Sequence, residues 1–334
     1  MISVHKIFLI FVVLCSLGEL VLSAPQPVFY NIEDAGNLFQ EFMVNFNKQY
    51  ATLEEKQRRL QVFTKNLEII NRKNADENES AVFGVNQFSD LSDEEFKAIY
   101  LNYLPSEKSP CSQISTNYSG ILLPDNLDWR QKNVVTRVKS QESCGACWAF
   151  AAVGNIESMN AIKNGQLLEF SEQQLVDCTS DQFDCHQGGR ADTGIMKVIE
   201  AGGIMGEDDY PYENQKGQCR FQSSQVKATV TNCYVFSFQN EDEIKQALFE
   251  NGPIAMALNG EGLKNYQGGV YKQCFGDVDH AVLLVGYGED PSDGPYWLIK
   301  NSWGVTYGDK GYAKLLRNQN TCNMMGGTFS TAAM

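Results

Sequence analysis

The stretch that decides the fold of this chain reads Gln141-Glu142-Ser143-Cys144-Gly145-Ala146-Cys147-Trp148-Ala149-Phe150. Apolar residues follow Cys147, and segment 147–163 is predicted to be a helix that begins at this cysteine. The positive end of a helix dipole favours a thiolate over a thiol, so Cys147 is a candidate nucleophile. An inert, buried cysteine is the ordinary alternative.

Two residues far downstream supply what a reactive thiolate needs. His280 opens an apolar strand and could exchange a proton with the thiol and with a leaving group. Asn301 lies in Lys300-Asn301-Ser302-Trp303-Gly304, and its amide oxygen could accept a hydrogen bond that orients the imidazole. Gln141 could add a side-chain amide to the backbone N–H of Cys147 and so form an oxyanion hole. The combination predicts acyl transfer through a thioester.

Composition limits the partners and the compartment. The 334 residues include 27 Lys and Arg against 41 Asp and Glu, a formal net charge of -14. This charge leaves no basic surplus for phosphates, so nucleic acid is not expected as a partner. Ten cysteines indicate a secreted or lumenal protein with disulfides.

The chain is predicted to have three parts. Residues 1–24 are a signal peptide whose apolar run is too short to span a bilayer, so no membrane anchor is expected. Residues 25–122 are the second part, in which 36–100 carry apolar side chains at helical spacing and 106–120 form an exposed linker. Residues 123–334 form the main domain. The sequons at Asn78 and Asn117 predict glycosylation before Leu123.

The main domain changes character along its length. Segments 147–163 and 192–201 are predicted helices, whereas short strands such as 281–287 and 296–299 follow Thr229. The sequence predicts an α+β fold with an α-rich half over about 133–230 and a β-rich half over about 231–334. A cleft between the halves is the expected binding site.

At this point a family resemblance becomes clear. Cys-Gly-Ala-Cys-Trp at 144–148 is a signature of papain and the cathepsins, with His and Asn far downstream. The chain resembles a papain-like cysteine protease of the cathepsin L type, including its propeptide. Two propeptide motifs match at every spacing, in Glu55, Arg59, Phe63, Asn66, Ile70 and Asn74, and in Gly84, Asn86, Phe88 and Asp90.

The resemblance implies a papain-like, two-lobed fold with an α-helical half and a β-barrel-like half, preceded by a helical inhibitory propeptide. Cys147 would be the nucleophile, His280 the general acid and base, Asn301 the orienting residue and Gln141 the oxyanion donor. Trp303 would shield the His280–Asn301 hydrogen bond. Substrate would be bound by Gly188, Gly189, Arg190, Ala191, Ala281 and Gly327. No cofactor and no metal are implied.

The implied disulfides join Cys144 to Cys185, Cys178 to Cys219, and Cys274 to Cys322. Cys111 and Cys233 are left over. We expect them to be unpaired because the linker is predicted to be flexible, whereas pairing would tether the propeptide after cleavage.

Three departures from the family pattern affect the site. Glu142 stands where a glycine is common, Tyr307 stands where a second tryptophan is common, and an extra residue lies between Cys185 and the glycine pair, at His186 and Gln187. The pocket is predicted to be roomy. For Arg190 we expect the stem to line its wall while the guanidinium reaches water; the alternative is that it turns inward and admits an acidic side chain.

Acidic runs receive the ordinary interpretation. Glu241-Asp242-Glu243 and residues 90–95 are predicted to be solvated helix starts. Ionised carboxylates in the second run predict a precursor that matures near about pH 5 and persists near about pH 7.5.

These features predict a secreted or lysosomal cysteine endopeptidase made as a zymogen, acting as a monomer on proteins and peptides and preferring a bulky apolar residue before the scissile residue. Within the family the chain looks nearest to baculovirus viral cathepsins, by Cys111, Asn232-Cys233-Tyr234 and the stretch 281–288. That likeness implies a late role in degrading host tissue, with retention in the host endoplasmic reticulum and release on lysis; an insect lysosomal cathepsin is the alternative.

Three other functions compete with this one. A thiol–disulfide oxidoreductase would use the Cys144-Gly145-Ala146-Cys147 spacing. The propeptide could act as a protease-inhibitor module, and a Cys-x-x-Cys pair could hold zinc, although a second clustered pair is missing.

Overall fold

The structure is a computed structural model that describes residues 26–104, 108–115, 122–179 and 184–334. The predicted signal peptide, the Asn117 sequon and part of the predicted linker lie outside the described residues. Asn78, the other sequon residue, is exposed. Within the described residues no helix is both long enough and apolar enough to cross a membrane.

The helices of the described residues are α1 (Ala35–Asn45), α2 (Leu53–Asn74), α3 (Asp93–Tyr100), α4 (Cys147–Asn164), α5 (Glu172–Cys178), α6 (Ala191–Ala201) and α7 (Glu241–Asn251). The strands are β1 (Val82–Phe83), β2 (Ser112–Ser115), β3 (Leu127–Asp128), β4 (Ile204–Met205), β5 (Val226–Ala228), β6 (Asn232–Ser237), β7 (Ile254–Leu258), β8 (Tyr266–Gly268), β9 (Val270–Tyr271), β10 (His280–Asp290), β11 (Gly294–Lys300), β12 (Tyr312–Leu316) and β13 (Phe329–Ala333).

The N-terminal helices form a small domain around an aromatic core. The side chain of Thr52 caps α2, and Ser92 with Glu95 forms a capping box on α3, so both starts are specified by local sequence. Phe39 and Phe42 of α1 pack against Phe63 of α2, with ring centroids 5.4 and 5.0 Å apart. The helical spacing seen in the sequence therefore places its apolar face in this core.

Helix α4 is the central element of the main domain. Nearly every residue from Cys147 to Ala161 is buried, including the polar Asn155, Glu157 and Ser158 as well as the apolar side chains. It ends at Gly165, whose φ of 71° is the left-handed conformation that glycine adopts without strain. It packs against α6 and β10, so its N-terminus lies at the junction of the two halves.

One mixed, nine-stranded sheet forms the β-rich half. Its order is β2-β6-β13-β7-β10-β11-β12-β9, and β3 pairs with β10. In the half that the sequence analysis describes as barrel-like, β2 and β9 are the two ends of this sheet. The sheet is open.

The predicted propeptide contributes one strand to this sheet. Residues 112–115 of the predicted linker form β2, which pairs in parallel with β6 of the main domain. Strand β1 of the predicted propeptide pairs antiparallel with β8 in a separate, two-stranded sheet. The linker is therefore partly ordered, because the main-chain groups at the edge of β6 offer it a hydrogen-bonding partner.

Four disulfides cross-link the described residues. Three have the pairing that the resemblance implies: Cys144–Cys185, Cys178–Cys219 and Cys274–Cys322. The fourth joins Cys111 to Cys233, so the expectation that these two cysteines are unpaired is wrong. Pairing of β2 with β6 brings the two cysteines within reach of each other.

The acidic runs are not simply solvated. Glu241 is 7% exposed and accepts hydrogen bonds from Trp297 Nε1, Asn318 N and Asn320 N, each at 2.7 Å. Asp90 is 3% exposed and accepts from Lys48 Nζ and Tyr50 OH, both at 2.9 Å. Both helix starts were predicted, but a sequence pattern cannot show which acid of a run will meet donors from a distant element.

Candidate active site

Cys147 lies at the first turn of α4 and is fully buried. The loop before it is held by the Cys144–Cys185 disulfide and by a 2.8 Å hydrogen bond from Gln141 N to Ser302 O. The N-cap residue Ala146 makes no side-chain hydrogen bond to this helix, and Cys147 stands at the positive end of its dipole. Within the same part of the chain, Cys147 is the cysteine that forms no disulfide.

His280 and Asn301 are in contact. His280 Nε2 lies 2.9 Å from Asn301 Oδ1, and the same oxygen accepts from Ser302 N at 2.8 Å. Because that backbone N–H can only donate, the Asn301 atom is the oxygen and His280 Nε2 must be the donor. In a neutral imidazole the free lone pair is then on Nδ1, which is buried and has no hydrogen-bond partner among the described residues.

An indole covers this pair. The rings of Trp303 and His280 are stacked with centroids 4.6 Å apart at an interplanar angle of 28°. Tyr307, at the position of a second tryptophan in the family pattern, packs edge-on against Trp303 at 4.8 Å and donates to Leu263 O at 3.1 Å. Tyr307 therefore packs in the place of the tryptophan, and its hydroxyl has a hydrogen-bond acceptor.

Gln141 is oriented by a residue that the sequence analysis missed. Its Oε1 accepts from Ser302 Oγ at 2.7 Å, which leaves Nε2 as a donor toward the cleft. Nε2 lies 3.1 Å from Cys144 O and 3.3 Å from the backbone oxygen of Tyr100. Ser302 could have been suspected from its place between Asn301 and Trp303. The backbone carbonyl of Tyr100, in the predicted propeptide, thus lies against Gln141, the predicted oxyanion donor.

The next residues of the predicted propeptide, 102–104, lie along the cleft. Gly189 N donates to Asn102 O at 3.0 Å, and Leu104 N donates to Gly189 O at 3.1 Å, so Tyr103 pairs with Gly189 in parallel. A Cβ on Gly188 would lie 1.7 Å from Asn102 O, which explains why only glycine fits there. The predicted glycine pair therefore presents backbone to an extended chain.

A local turn accommodates the extra residue before Gly188 and Gly189. Asp184 Oδ1 accepts from His186 N and Gln187 N at 2.7 and 2.6 Å, and Gly188 N donates to Asp184 O. The resulting tight turn leaves Gly189 in register with the chain in the cleft. Glu142, the other departure, is exposed with φ of 49°, a backbone conformation in which a glycine would be unstrained.

Tyr103 fills the predicted pocket. Its side chain is 7% exposed and belongs to the same buried cluster as Ala191 and Ala281. Its hydroxyl donates to Thr328 Oγ1 at 2.8 Å, next to Gly327, where a Cβ would lie 2.0 Å from Ala257 O. Tyr103 therefore lies in the same buried cluster as two of the small residues predicted for this pocket, and its hydroxyl reaches the residue after the third.

The expectation for Arg190 is wrong. Arg190 is 4% exposed, and its Nε donates to Asp192 Oδ1 at 2.9 Å. The guanidinium does not reach water because a buried carboxylate two residues away balances its charge. The sequence analysis did not single out Asp192, although its short spacing from Arg190 on the first turn of α6 was visible.

Residues 123–332 match the Papain family cysteine protease domain, and residues 39–96 match the Cathepsin propeptide inhibitor domain (I29). The chain belongs to the papain family of cysteine proteases. Its order of propeptide and peptidase domain, with the propeptide lying in the cleft, is that of a cathepsin-type zymogen.

Individual relatives and solved structures agree with this family assignment. The chain is 40% identical over 307 residues to the viral cathepsin of Adoxophyes honmai nucleopolyhedrovirus, covering 88% of this chain and 90% of the relative. It is 41% identical over 308 residues to the viral cathepsin of Autographa californica nuclear polyhedrosis virus, covering 91% and 94%. The digestive procathepsin L2 proteinase of Tenebrio molitor larval midgut superposes with a TM-score of 0.83 at 33% identity, covering 90% and 100%.

In this papain-family zymogen, burial keeps the thiol and imidazole neutral. Burial raises the pKa of Cys147 to about 11, although backbone hydrogen bonds from Ala281, Asn102 and Trp148 act to lower it. Burial also lowers the pKa of His280 to about 4, against the opposing effect of the Asn301 amide. The helix dipole alone predicted a thiolate, but desolvation of the buried thiol outweighs it. The described residues contain no group of three or more His, Cys, Asp or Glu that could hold a metal.

The propeptide is held on this site by rings and by ion pairs. Phe88 and Phe96 pack edge-on against Trp303 with centroids 5.4 and 5.3 Å away. Lys264 of the main domain donates to Leu91 O at 2.6 Å and to Asp93 Oδ1 at 2.9 Å. The indole that covers the His280–Asn301 pair is therefore also the platform on which the propeptide docks.

Acid should loosen the propeptide through Glu95. Its carboxylate accepts from Arg58 Nη1 and Arg59 Nη1, both at 2.7 Å. Although burial opposes them, hydrogen bonds from Arg58 and the Ser92 backbone hold the pKa of Glu95 below 4.5. A depressed folded pKa means that this stabilisation is present above about pH 4.5 and is lost as the pH falls through the folded value. Asp279, whose pKa burial raises to about 6, acts in the opposite sense.

We therefore predict that Glu95→Gln weakens the propeptide at pH 7 and flattens its acid dependence below about pH 4.5. The measurement is hydrogen-exchange protection of α2 and α3 against pH, corrected for intrinsic rates, in a Cys147→Ala background. Glu68→Gln, on the exposed face of α2, is the matched control and should behave as the parent. Equal pH dependence in the Glu95→Gln and Glu68→Gln variants would contradict the prediction.

Proposed function

We propose that this chain is the precursor of a cysteine endopeptidase in which Cys147 is the nucleophile, His280 the general acid and base, Asn301 the orienting residue and Gln141 an oxyanion donor. The observation that carries the proposal is the His280–Asn301 hydrogen bond, which leaves Nδ1 of His280 as the free nitrogen of the cleft. A propeptide carbonyl 3.3 Å from Gln141 Nε2 supports the assignment of the oxyanion site.

The proposed reaction uses these groups in order. With the propeptide gone, Cys147 transfers its thiol proton to His280 Nδ1 and its Sγ attacks the peptide carbonyl carbon, and the carbonyl oxygen becomes an oxyanion bound by Gln141 Nε2 and the Cys147 backbone N–H. His280 gives its proton to the leaving nitrogen, the C–N bond breaks and a thioester remains. A water then loses a proton to His280 and attacks the thioester, which releases the acid and the Cys147 thiolate.

The proposed division of the chain is a signal peptide over 1–24, an inhibitory propeptide over 25–122 and a mature peptidase over 123–334. We propose secretion into the host secretory pathway, glycosylation at Asn78 and Asn117, and action as a monomer in a lysosomal or extracellular setting. The viral cathepsin relatives support a late role in degrading host tissue.

A thiol–disulfide oxidoreductase would need Cys144 and Cys147 to pair with each other. Cys144 is bonded to Cys185 instead, which removes the redox pair. The inhibitor activity of the propeptide is retained in the proposal as intramolecular inhibition.

Replacement of the nucleophile tests the central assignment. Cys147→Ala should abolish peptidase activity and labelling by a mechanism-based epoxide, because no other group can form the thioester. Ser143→Ala, at an exposed position of the same loop, is the matched control and should mature and label normally. Peptide hydrolysis by the Cys147→Ala variant above the uncatalysed rate would disprove the assignment.

The occupant of the pocket predicts the substrate preference. Since Tyr103 lies there, we propose that Leu, Phe and Tyr are preferred immediately before the residue whose carbonyl is attacked, each stabilised by about 1.5–3 kcal/mol on burial. Lys and Arg should be disfavoured in a peptide library, and acidic residues should gain nothing because Asp192 balances Arg190. Asp192→Asn should raise cleavage of peptides with an acidic residue at that position relative to peptides with Leu there. A library that favours Lys or Arg would show that the pocket is misassigned.

A further inference from the structure

The Cys111–Cys233 disulfide connects the two parts of the zymogen that proteolysis is expected to separate. Cys111 lies between the inhibitor match, which ends at 96, and the peptidase match, which begins at 123. Cys233 lies on β6 of the peptidase and is fully buried. A chain break anywhere between Cys111 and Leu123 leaves this covalent link intact.

Main-chain pairing reinforces the link. Ser112 to Ser115 form β2, which runs parallel to β6 with Ser112 opposite Tyr234. Without β2, strand β6 would be the edge of the sheet and its main-chain groups would lose their partners. A four-residue strand alone would dissociate, but a disulfide makes its binding intramolecular and keeps its effective concentration high.

The same segment also touches the wall of the substrate pocket. Ser109 Oγ donates to Asp192 Oδ2 at 2.5 Å and accepts from Cys111 N at 3.1 Å. Asp192 in turn accepts from Arg190 Nε. The side chain of Ser109 therefore helps to hold the carboxylate that neutralises the buried guanidinium beside the pocket.

We infer that the mature enzyme is a two-chain protein that keeps a peptide of its own propeptide, containing Ser109 to Ser115, as the edge strand of its sheet and as a support for the Asp192–Arg190 wall. The inference rests on the proposed zymogen function. Release of the inhibitory helices then requires a second cut on the N-terminal side of Cys111, because one cut near Leu123 leaves them tethered over their own binding site.

Intact mass measurement tests the retained peptide. Acid-matured enzyme is alkylated without reduction and weighed, then reduced and weighed again. Reduction should release one peptide that contains Cys111, while the larger chain keeps its mature start. A single chain before reduction, with an alkyl label on Cys233, would overturn the inference.

The test separates this inference from the proposed function. If the wild-type chain neither matures nor hydrolyses peptides, the proposed function fails. The Cys147→Ala precursor can then be cut by an added protease, and retention of the Cys111 peptide measured in the same way. Retention supports the tether irrespective of catalysis, and its loss overturns it.

Kinetics test the support of the pocket. Ser109→Ala keeps the disulfide and should retain the peptide, but the lost hydrogen bond to Asp192 should raise KM for an aromatic substrate about fivefold, with kcat little changed. The Cys111→Ser, Cys233→Ser double variant should lose the peptide and show at least the same rise in KM. Ser112→Ala, at an exposed position of β2, is the control and should match the wild type. Wild-type KM values in both test variants would contradict the role of the retained peptide in the pocket. If the double variant does not fold, the KM of Ser109→Ala alone decides whether the retained peptide has that role.

Discussion

The hydrogen bond between His280 Nε2 and Asn301 Oδ1 is the constraint on which the rest of the site depends. It sets the tautomer, so the free lone pair is on Nδ1, and it sets the plane of the ring on which Trp303 stacks. Water would compete for both partners of this bond and weaken it. The Trp303 indole excludes water from the bond in the main domain, and the propeptide covers the indole in the zymogen.

The propeptide inhibits by more than blocking access. Its Tyr100 carbonyl lies on the oxyanion donor, its Tyr103 side chain fills the pocket, and its backbone pairs with Gly189. In the closed cleft, burial raises the pKa of the Cys147 thiol to about 11 and lowers the pKa of His280 to about 4, so both groups are neutral at pH 7. A substrate-like chain and a neutral nucleophile can therefore lie together without reaction.

Much of this arrangement could be predicted from the sequence. The starts of α4 and β10 followed from apolar patterning, and the family motifs placed Cys147, His280 and Asn301 in one cleft. The open sheet and the role of β2 could not be predicted, because the pairing of a short polar strand depends on an edge formed by residues far along the chain. For Arg190 the solvent-exposed interpretation was wrong because the contacts of Asp192 are tertiary. The Cys111–Cys233 bond was not expected, because the β2–β6 register that brings the two cysteines together is a tertiary feature.

The central claim is that burial by the propeptide, and not the sequence around the thiol, keeps Cys147 and His280 neutral. The most direct measurement is the rate of alkylation of Cys147 by iodoacetamide against pH, in the precursor and in the matured enzyme. The account predicts that the precursor gains reactivity only as the pH rises toward about 11, whereas the matured enzyme is already reactive below about pH 7. A precursor whose reactivity reaches its plateau below about pH 7, as in the matured enzyme, would contradict the account.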